Sequence, residues 1–174
     1  MAITQKIRRC ACFLPLLLLA NGCNPFAPAL DDAIIDRSKL LGDRRTVKGL
    51  FEWFRNSYEM RDTLIYGQML APDFRFTYKN FANNNDEYWD RASEMRSAYN
   101  MFRSVKNTSL QWNNYVYADT LTSDSIASVE RYFNLNIVQD EQNVFRGTGS
   151  ARLLLKRDAN GEWQISDWYD KSDF

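Results

Sequence analysis

The chain has 174 residues, with 22 Lys and Arg against 22 Asp and Glu and no histidine. Its balanced charge excludes the basic face of a nucleic-acid-binding protein, and the missing imidazole removes the commonest general base and metal ligand. Apolar residues make up 45% and aromatics 14%, which suits one domain with a real core.

Lys6, Arg8 and Arg9 precede an apolar run from Cys10 to Ala20, and Asn21-Gly22-Cys23 then offers a small-residue cleavage site with a cysteine directly after it. That order is read as a secretory signal, because the apolar run is too short to span a bilayer as a helix. The segment resembles bacterial lipoprotein signal peptides. The resemblance implies a signal over residues 1–22, lipid attachment at Cys23 and a protein tethered to a membrane of the cell envelope. Asn24 in place of Asp points, by the same resemblance, toward the outer membrane. An ordinary secretory signal and an uncleaved anchor are the alternatives. Acyl chains contribute about 0.8 kcal/mol of membrane affinity per buried CH₂, so two or three hold a protein essentially permanently. Cys10 and Cys12 leave with the signal and Cys23 takes the lipid, so no thiol remains for a disulfide or a nucleophile. Beyond Cys23 the chain keeps 19 basic against 22 acidic residues, a net charge of −3.

Residues 23–45, with Pro25 and Pro28, read as a tether that includes a short helix between Ala29 and Leu41. A folded domain is expected over residues 46–174. Val47, Leu50, Phe51, Phe54 and Tyr58 recur at helical spacing, with Thr46 placed to cap the helix. Asp62 is expected to cap a second helix carrying Ile65, Tyr66, Met69 and Leu70, which Pro72 stops. Asp73 to Tyr78 alternates as a strand, and Asn83-Asn84-Asn85 reads as a loop. Asp86 is expected to cap a third helix with the stripe Tyr88, Ala92, Met95, Tyr99 and Phe102. The period then changes from 3.6 to 2. Leu110–Ala118, Ser128–Val138, Val144–Lys156 and Trp163–Tyr169 read as strands. Asp158-Ala159-Asn160-Gly161 is a hairpin turn, and Gly147 and Gly149 suggest a bulge or bend in a long strand. The expected class is α+β: a curved, mostly antiparallel sheet wrapped around about three helices.

The set Tyr58-x-x-Arg61-Asp62-x-x-x-Tyr66, Leu70-Ala71-Pro72-Asp73-Phe74-Arg75-Phe76, Trp89-x-Arg91-x-x-Glu94, Gly147-x-Gly149 and Gly161-x-Trp163-x-Ile165-x-x-Trp168-x-Asp170 resembles the nuclear-transport-factor-two-like superfamily. This is a cone-shaped, cystatin-like fold that includes ketosteroid isomerase and polyketide-cyclase-like proteins. The resemblance implies a pocket between the concave sheet face and the helices. Its candidate ligand-binding residues are Phe54, Tyr58, Tyr66, Phe76, Trp89, Met95, Phe102, Trp112 and Trp168. Each of them is equally suited to filling a core.

The resemblance to ketosteroid isomerase implies a carboxylate base after the first strand, with a Tyr and a protonated Asp facing the developing oxyanion. Laid along Asp73–Phe76, the base position falls at Tyr78 and the first-helix Tyr position near Glu52, so those roles are not carried over. An Asp-Arg-Asp set from Asp73, Arg131 and Asp170 is the corresponding epoxide-hydrolase possibility. Asp73 reads more simply as a cap or turn residue, and Arg61 and Asp170 as partners in an ion pair or a cap. No Gly-x-x-x-x-Gly-Lys loop is present, and the expectation is of neither cofactor nor metal. Three functions follow. The first is a non-catalytic, lipid-anchored module binding a small apolar ligand or a partner protein. The second is a structural homodimer within an envelope assembly. The third is a carboxylate-dependent isomerase or hydrolase, which requires a cavity-facing Asp or Glu with a raised pKa.

Overall fold

A computed structural model describes residues 40–120 and 123–172. Helix α1 (Val47–Met60) is capped as expected: the Gly49 amide donates to the Thr46 side-chain oxygen at 2.9 Å. It ends on Arg61, whose φ of 53° lets its amide donate back to the Tyr58 carbonyl at 2.9 Å. Asp62 caps α2 (Thr63–Gln68) through the amides of Leu64 and Ile65 at 2.8 and 3.0 Å.

The chain departs from the sequence-based expectation at the next two elements. Strand β1 (Leu70–Asn80) begins three residues before Asp73 and takes Pro72 into the strand. A register irregularity between Leu70 and Arg75 accommodates the proline, since a proline cannot donate to a regular ladder. Asn85–Asp90 is then a strand, β2, that folds back on β1. Helix α3 (Arg91–Ser104) therefore starts later in the chain than expected. Its cap is Asp90, which accepts from the Ser93 amide at 2.9 Å, and not Asp86. Its buried face is Glu94, Ala98 and Phe102. Tyr99 points outward, where the Arg103 guanidinium donates to its hydroxyl at 2.6 Å.

Strands β3 (Asn107–Asp119), β4 (Ile126–Val138), β5 (Val144–Arg157) and β6 (Trp163–Ser172) complete a six-stranded sheet in the order β2-β1-β6-β5-β4-β3. Every pairing is antiparallel except that of β1 with β6. Irregularities in β1, in β3 near Trp112 and Tyr115, and between β5 and β6 at Leu154 and Leu155 bend the sheet. The glycine pair of β5 is not one of these bends, because β4 and β5 pair without a shift from Ile126 to Val138. Gly149 serves close approach instead: a Cβ there would lie 2.5 Å from the Cα of Ser172.

Helices and sheet thus form an α+β cone with an open, curved sheet. One face of the sheet packs on α1. Leu50, Phe51 and Phe54 meet Val129, Leu153, Leu155, Ile165 and Trp168 in the core. Phe54 sits edge-on to both Trp112 and Trp168, each at 5.2 Å between ring centroids. Such aromatic pairs contribute about 0.5–1.5 kcal/mol each beyond the area they bury. The described end of the expected tether also packs on the domain. Leu41 is buried, and the buried Arg44 donates to the Gln68 carbonyl, pairs with Glu162 and stacks on Trp53.

Candidate functional site

Two alternations converge inside the cone. Helical spacing brings Phe54 and Tyr58 to one face of α1, while strand parity turns Leu110 and Trp112 of β3, Phe133 and Leu135 of β4, and Trp168 of β6 toward them. These seven side chains enclose a cavity of about 20 Å³, room for one water-sized group. Its exposed wall is almost entirely carbon. The Nε1 atoms of Trp112 and Trp168 are buried and have no hydrogen-bond partner. Burial raises the Tyr58 phenol far above its ordinary value, helped by the nearby charge of Glu94, so it remains protonated.

Of the nine candidate residues, Phe54, Tyr58, Trp112 and Trp168 line this cavity. Tyr66 and Phe102 stand behind Tyr58, edge-on at 5.7 and 5.3 Å. Phe76 and Trp89 stack on each other at 4.4 Å across the β1–β2 pair. Met95 lies against Gly67 and faces an open surface groove that also includes Arg44 and Arg91. Leu110, Phe133 and Leu135 were not among the residues expected from the sequence. Their signal was available, because Leu110 shares a strand face with Trp112, and Phe133 with Leu135. Cys23 lies outside the described residues.

A buried carboxylate stands behind the aromatic wall. Glu94 accepts the Tyr66 hydroxyl at 2.5 Å and the Trp89 indole N–H at 2.7 Å, tying α2, β2 and α3 together. Burial raises its pKa although both hydrogen bonds act in the opposite direction. The Tyr66 phenol is pushed up as well, by burial first and then by the Glu94 charge. Tyr66 thus stands between Glu94 and Tyr58, bonded to the first and packed edge-on against the second.

The expected Asp-Arg-Asp set does not assemble. Asp73 is a strand residue paired with Lys156, not a cap. The Arg131 Nε donates to the Asn113 carbonyl at 2.6 Å, and its guanidinium lies over the rings of Phe51 and Tyr115. Asp170 accepts from the amide and hydroxyl of Ser172 at 3.2 and 2.8 Å. Arg131 and Asp170 do share one cross-strand row with Ala151 between them, which leaves them two strands apart, roughly 10 Å. Arg61 does not meet Asp170; it donates to the Val105 carbonyl at 2.7 Å. Tyr78 donates to Glu87 at 2.7 Å, and Glu52 lies 3.6 Å from Lys48 on α1. Among the described residues no cluster of His, Cys, Asp and Glu is placed to hold a metal, and no helix is long and apolar enough to cross a membrane.

Outside the cavity, between α1 and β3, runs a groove of about 510 Å³ with Lys48, Glu52, Arg55, Glu59 and Arg131 along it. Leu110 and Trp112 belong to both the groove and the cavity and form the wall between them.

No protein-family model matches the chain, and no curated protein matches it by sequence. The backbone does match solved structures. A scytalone dehydratase-like protein from Novosphingobium aromaticivorans superposes with a TM-score of 0.64 at 13% identity, over 79% of this chain and 88% of that one. A Kribbella flavida protein gives 0.63 at 9% identity, over 76% and 91%. A protein of unknown function from Mycobacterium tuberculosis gives 0.59 at 12% identity, over 73% and 69%. At these identities the likeness is one of fold, and the fold is the nuclear-transport-factor-two-like cone.

Proposed function

We propose that the protein is a non-catalytic binding module of the cell envelope, lipid-anchored through Cys23, which takes a small amphipathic molecule by its apolar end. One observation carries this reading: the cavity wall is apolar and aromatic, with no carboxylate or amine among its side chains and with Tyr58, held protonated by burial, as its one ionisable group. Such a wall recognises shape and apolar surface, and its one phenol stays protonated. The dehydratase-like neighbour suggests chemistry, but the carboxyl best placed for it, Glu94, is occupied by Tyr66 and Trp89 behind the wall. A ligand of ordinary size needs several hundred cubic ångströms. Leu110 and Trp112 stand between the cavity and the outer groove, so a ligand of that size requires Trp112 to move from its contacts with Phe51, Phe54 and Phe133, with the polar end of the ligand in the groove.

The test is thermal unfolding of the full chain with a panel of short-chain alcohols, ketones and esters. Binding to the folded state stabilises it by about 2.7 kcal/mol at a hundredfold excess over Kd. A melting temperature unmoved across the panel contradicts the reading. Anchoring is tested separately, by labelling cells with an alkyne fatty acid: the label is expected on the wild type and absent from Cys23→Ser.

Homodimerisation is a second reading, favoured by the solvent side of the sheet. There Tyr88, Tyr117, Tyr132 and Leu154 are exposed among ion pairs of both signs, Arg75 with Asp167 and Lys171 with Glu130. Light scattering is expected to give twice the monomer mass for the wild type and the monomer mass for Tyr132→Glu. A monomeric wild type removes this reading.

A further inference from the structure

The open sheet has two edges, and they are built differently. Among the described residues β2 ends one side of the sheet and β3 the other. The β2 edge is short and carries Asp86, Glu87 and Asp90, charges of the kind that discourage a further strand. Strand β3 is 13 residues long and holds neither charge nor proline from Asn107 to Ala118. Its register with β4 runs unbroken from Asn107 to Trp112, and the irregularities that turn an edge away begin only after Trp112. Asn107–Trp112 is therefore a regular, uncharged edge, the kind of template on which another strand pairs.

The groove beside that edge carries a second, independent pattern. Lys48, Glu52, Arg55 and Glu59 form one stripe along α1 and line the groove together with Ser109–Trp112. Their signs alternate, starting positive and ending negative. Turned end for end, such a stripe faces an opposite charge at every position, so it complements an antiparallel copy of itself. Lys48 then meets Glu59 of the copy and Glu52 meets Arg55 of the copy, each pair occurring twice. The middle of the stripe lies beside the regular part of β3, since Phe51 and Phe54 both pack on Trp112, at 4.8 and 5.2 Å. Within the chain Lys48 lies 3.6 Å from Glu52, but Arg55 donates to Asn56 and not to Glu59. Arg131, the remaining charge of the groove, is held by the Asn113 carbonyl and the rings of Phe51 and Tyr115.

We propose that the outer edge of β3 is a docking surface for a second copy of this chain, paired antiparallel through Asn107–Trp112 about a two-fold axis beside Leu110. The two sheets then join edge to edge, and the α1 stripes face each other across the axis. Residues directly opposite on antiparallel strands share a face of the sheet. An axis at Leu110 therefore sets Ser109 against Gln111 of the copy, both exposed and both able to hydrogen-bond. An unrelated extended segment could use the same edge, but only a second copy explains why the stripe is its own complement. This surface is separate from the sheet face that carries Tyr132, and the inference rests neither on that pairing nor on the binding reading.

The experiment is sedimentation velocity of the full chain over a concentration series, with amide exchange followed at low and high concentration. The wild type is expected to pass from monomer to dimer, with exchange slowing along Asn107–Trp112 as it does. Arg55→Glu sets carboxylates against each other at two places in the dimer, and Glu52→Arg does the same with guanidiniums. Each is expected to raise the dissociation constant about tenfold. An equimolar mixture of the two variants restores opposite signs at both places, so a mixed dimer of near wild-type affinity should form. A monomeric wild type overturns the proposal. A dimer that both variants leave intact overturns it too, and moves the contact to another surface such as the sheet face. Loss of the dimer without recovery in the mixture overturns the pairing of Glu52 with Arg55. Exchange along Asn107–Trp112 that ignores concentration overturns the strand pairing, and this wild-type measurement decides even if a variant does not fold.

Discussion

Glu94 shows how one residue can decide the packing of three elements. It receives the Tyr66 hydroxyl from α2 and the Trp89 indole from β2 while standing on α3. Removing one partner leaves a buried carboxylate short of a donor, so Tyr66→Phe is expected to lower stability by roughly 1.5–3 kcal/mol in urea unfolding. A loss under about 0.5 kcal/mol would mean that Glu94 reaches water. Nothing in the sequence announces this role. Trp89-x-Arg91-x-x-Glu94 is legible as a pattern, but which α3 residues turn inward depends on where the helix begins, and Asp86 and Asp90 are equally good caps by residue type.

Asp170 carries a pH dependence of definite sign. Burial raises its folded pKa above the ordinary 3.8, against the hydrogen bonds from Ser172. The unfolded carboxyl therefore ionises first as pH rises. Between the ordinary value and the raised one the native state holds more protons, so this residue's contribution to stability falls with increasing pH. Asp170→Asn keeps an oxygen for Ser172 and removes the titration. Relative to the wild type it is expected to gain stability as pH climbs from the ordinary carboxyl value through the raised one, read as a widening gap between urea midpoints. Parallel curves would contradict the assignment.

At the scale of elements, the long period-2 segments and the caps at Thr46 and Asp62 are legible because each rests on local chemistry that tertiary contacts do not override. Strand β2 is not, because Asn85–Asp90 is short and polar and owes its extended form to pairing with β1. The glycines of β5 are legible as special and their reason is not: Gly149 lets the end of β6 approach, which no single strand records. Gly149→Ala would place a methyl against the Ser172 backbone, with an expected cost of about 1–3 kcal/mol. The loss should be accompanied by faster amide exchange at the end of β6. Full stability would show that β6 can move away freely.

For the whole molecule, the order of elements and the switch of period are enough to reach the cone, since few arrangements bury three helices against one bent sheet. The candidate site is legible only in part. Phe54, Tyr58, Trp112 and Trp168 can be named from their type, while the decision between cavity wall and filled core belongs to packing that a linear pattern does not contain. Phe54 joins both sides of that wall, so Phe54→Ala is expected to cost about 3–5 kcal/mol. If the cone is a receptacle for a small amphipathic molecule, the protein should leave its host with that molecule inside. Native mass spectrometry of the full chain, purified gently, looks for it without assuming its identity. An adduct of constant extra mass that a member of the alcohol, ketone and ester panel displaces is the expected result. A bare chain, unchanged by added ketones or esters, would contradict the binding reading.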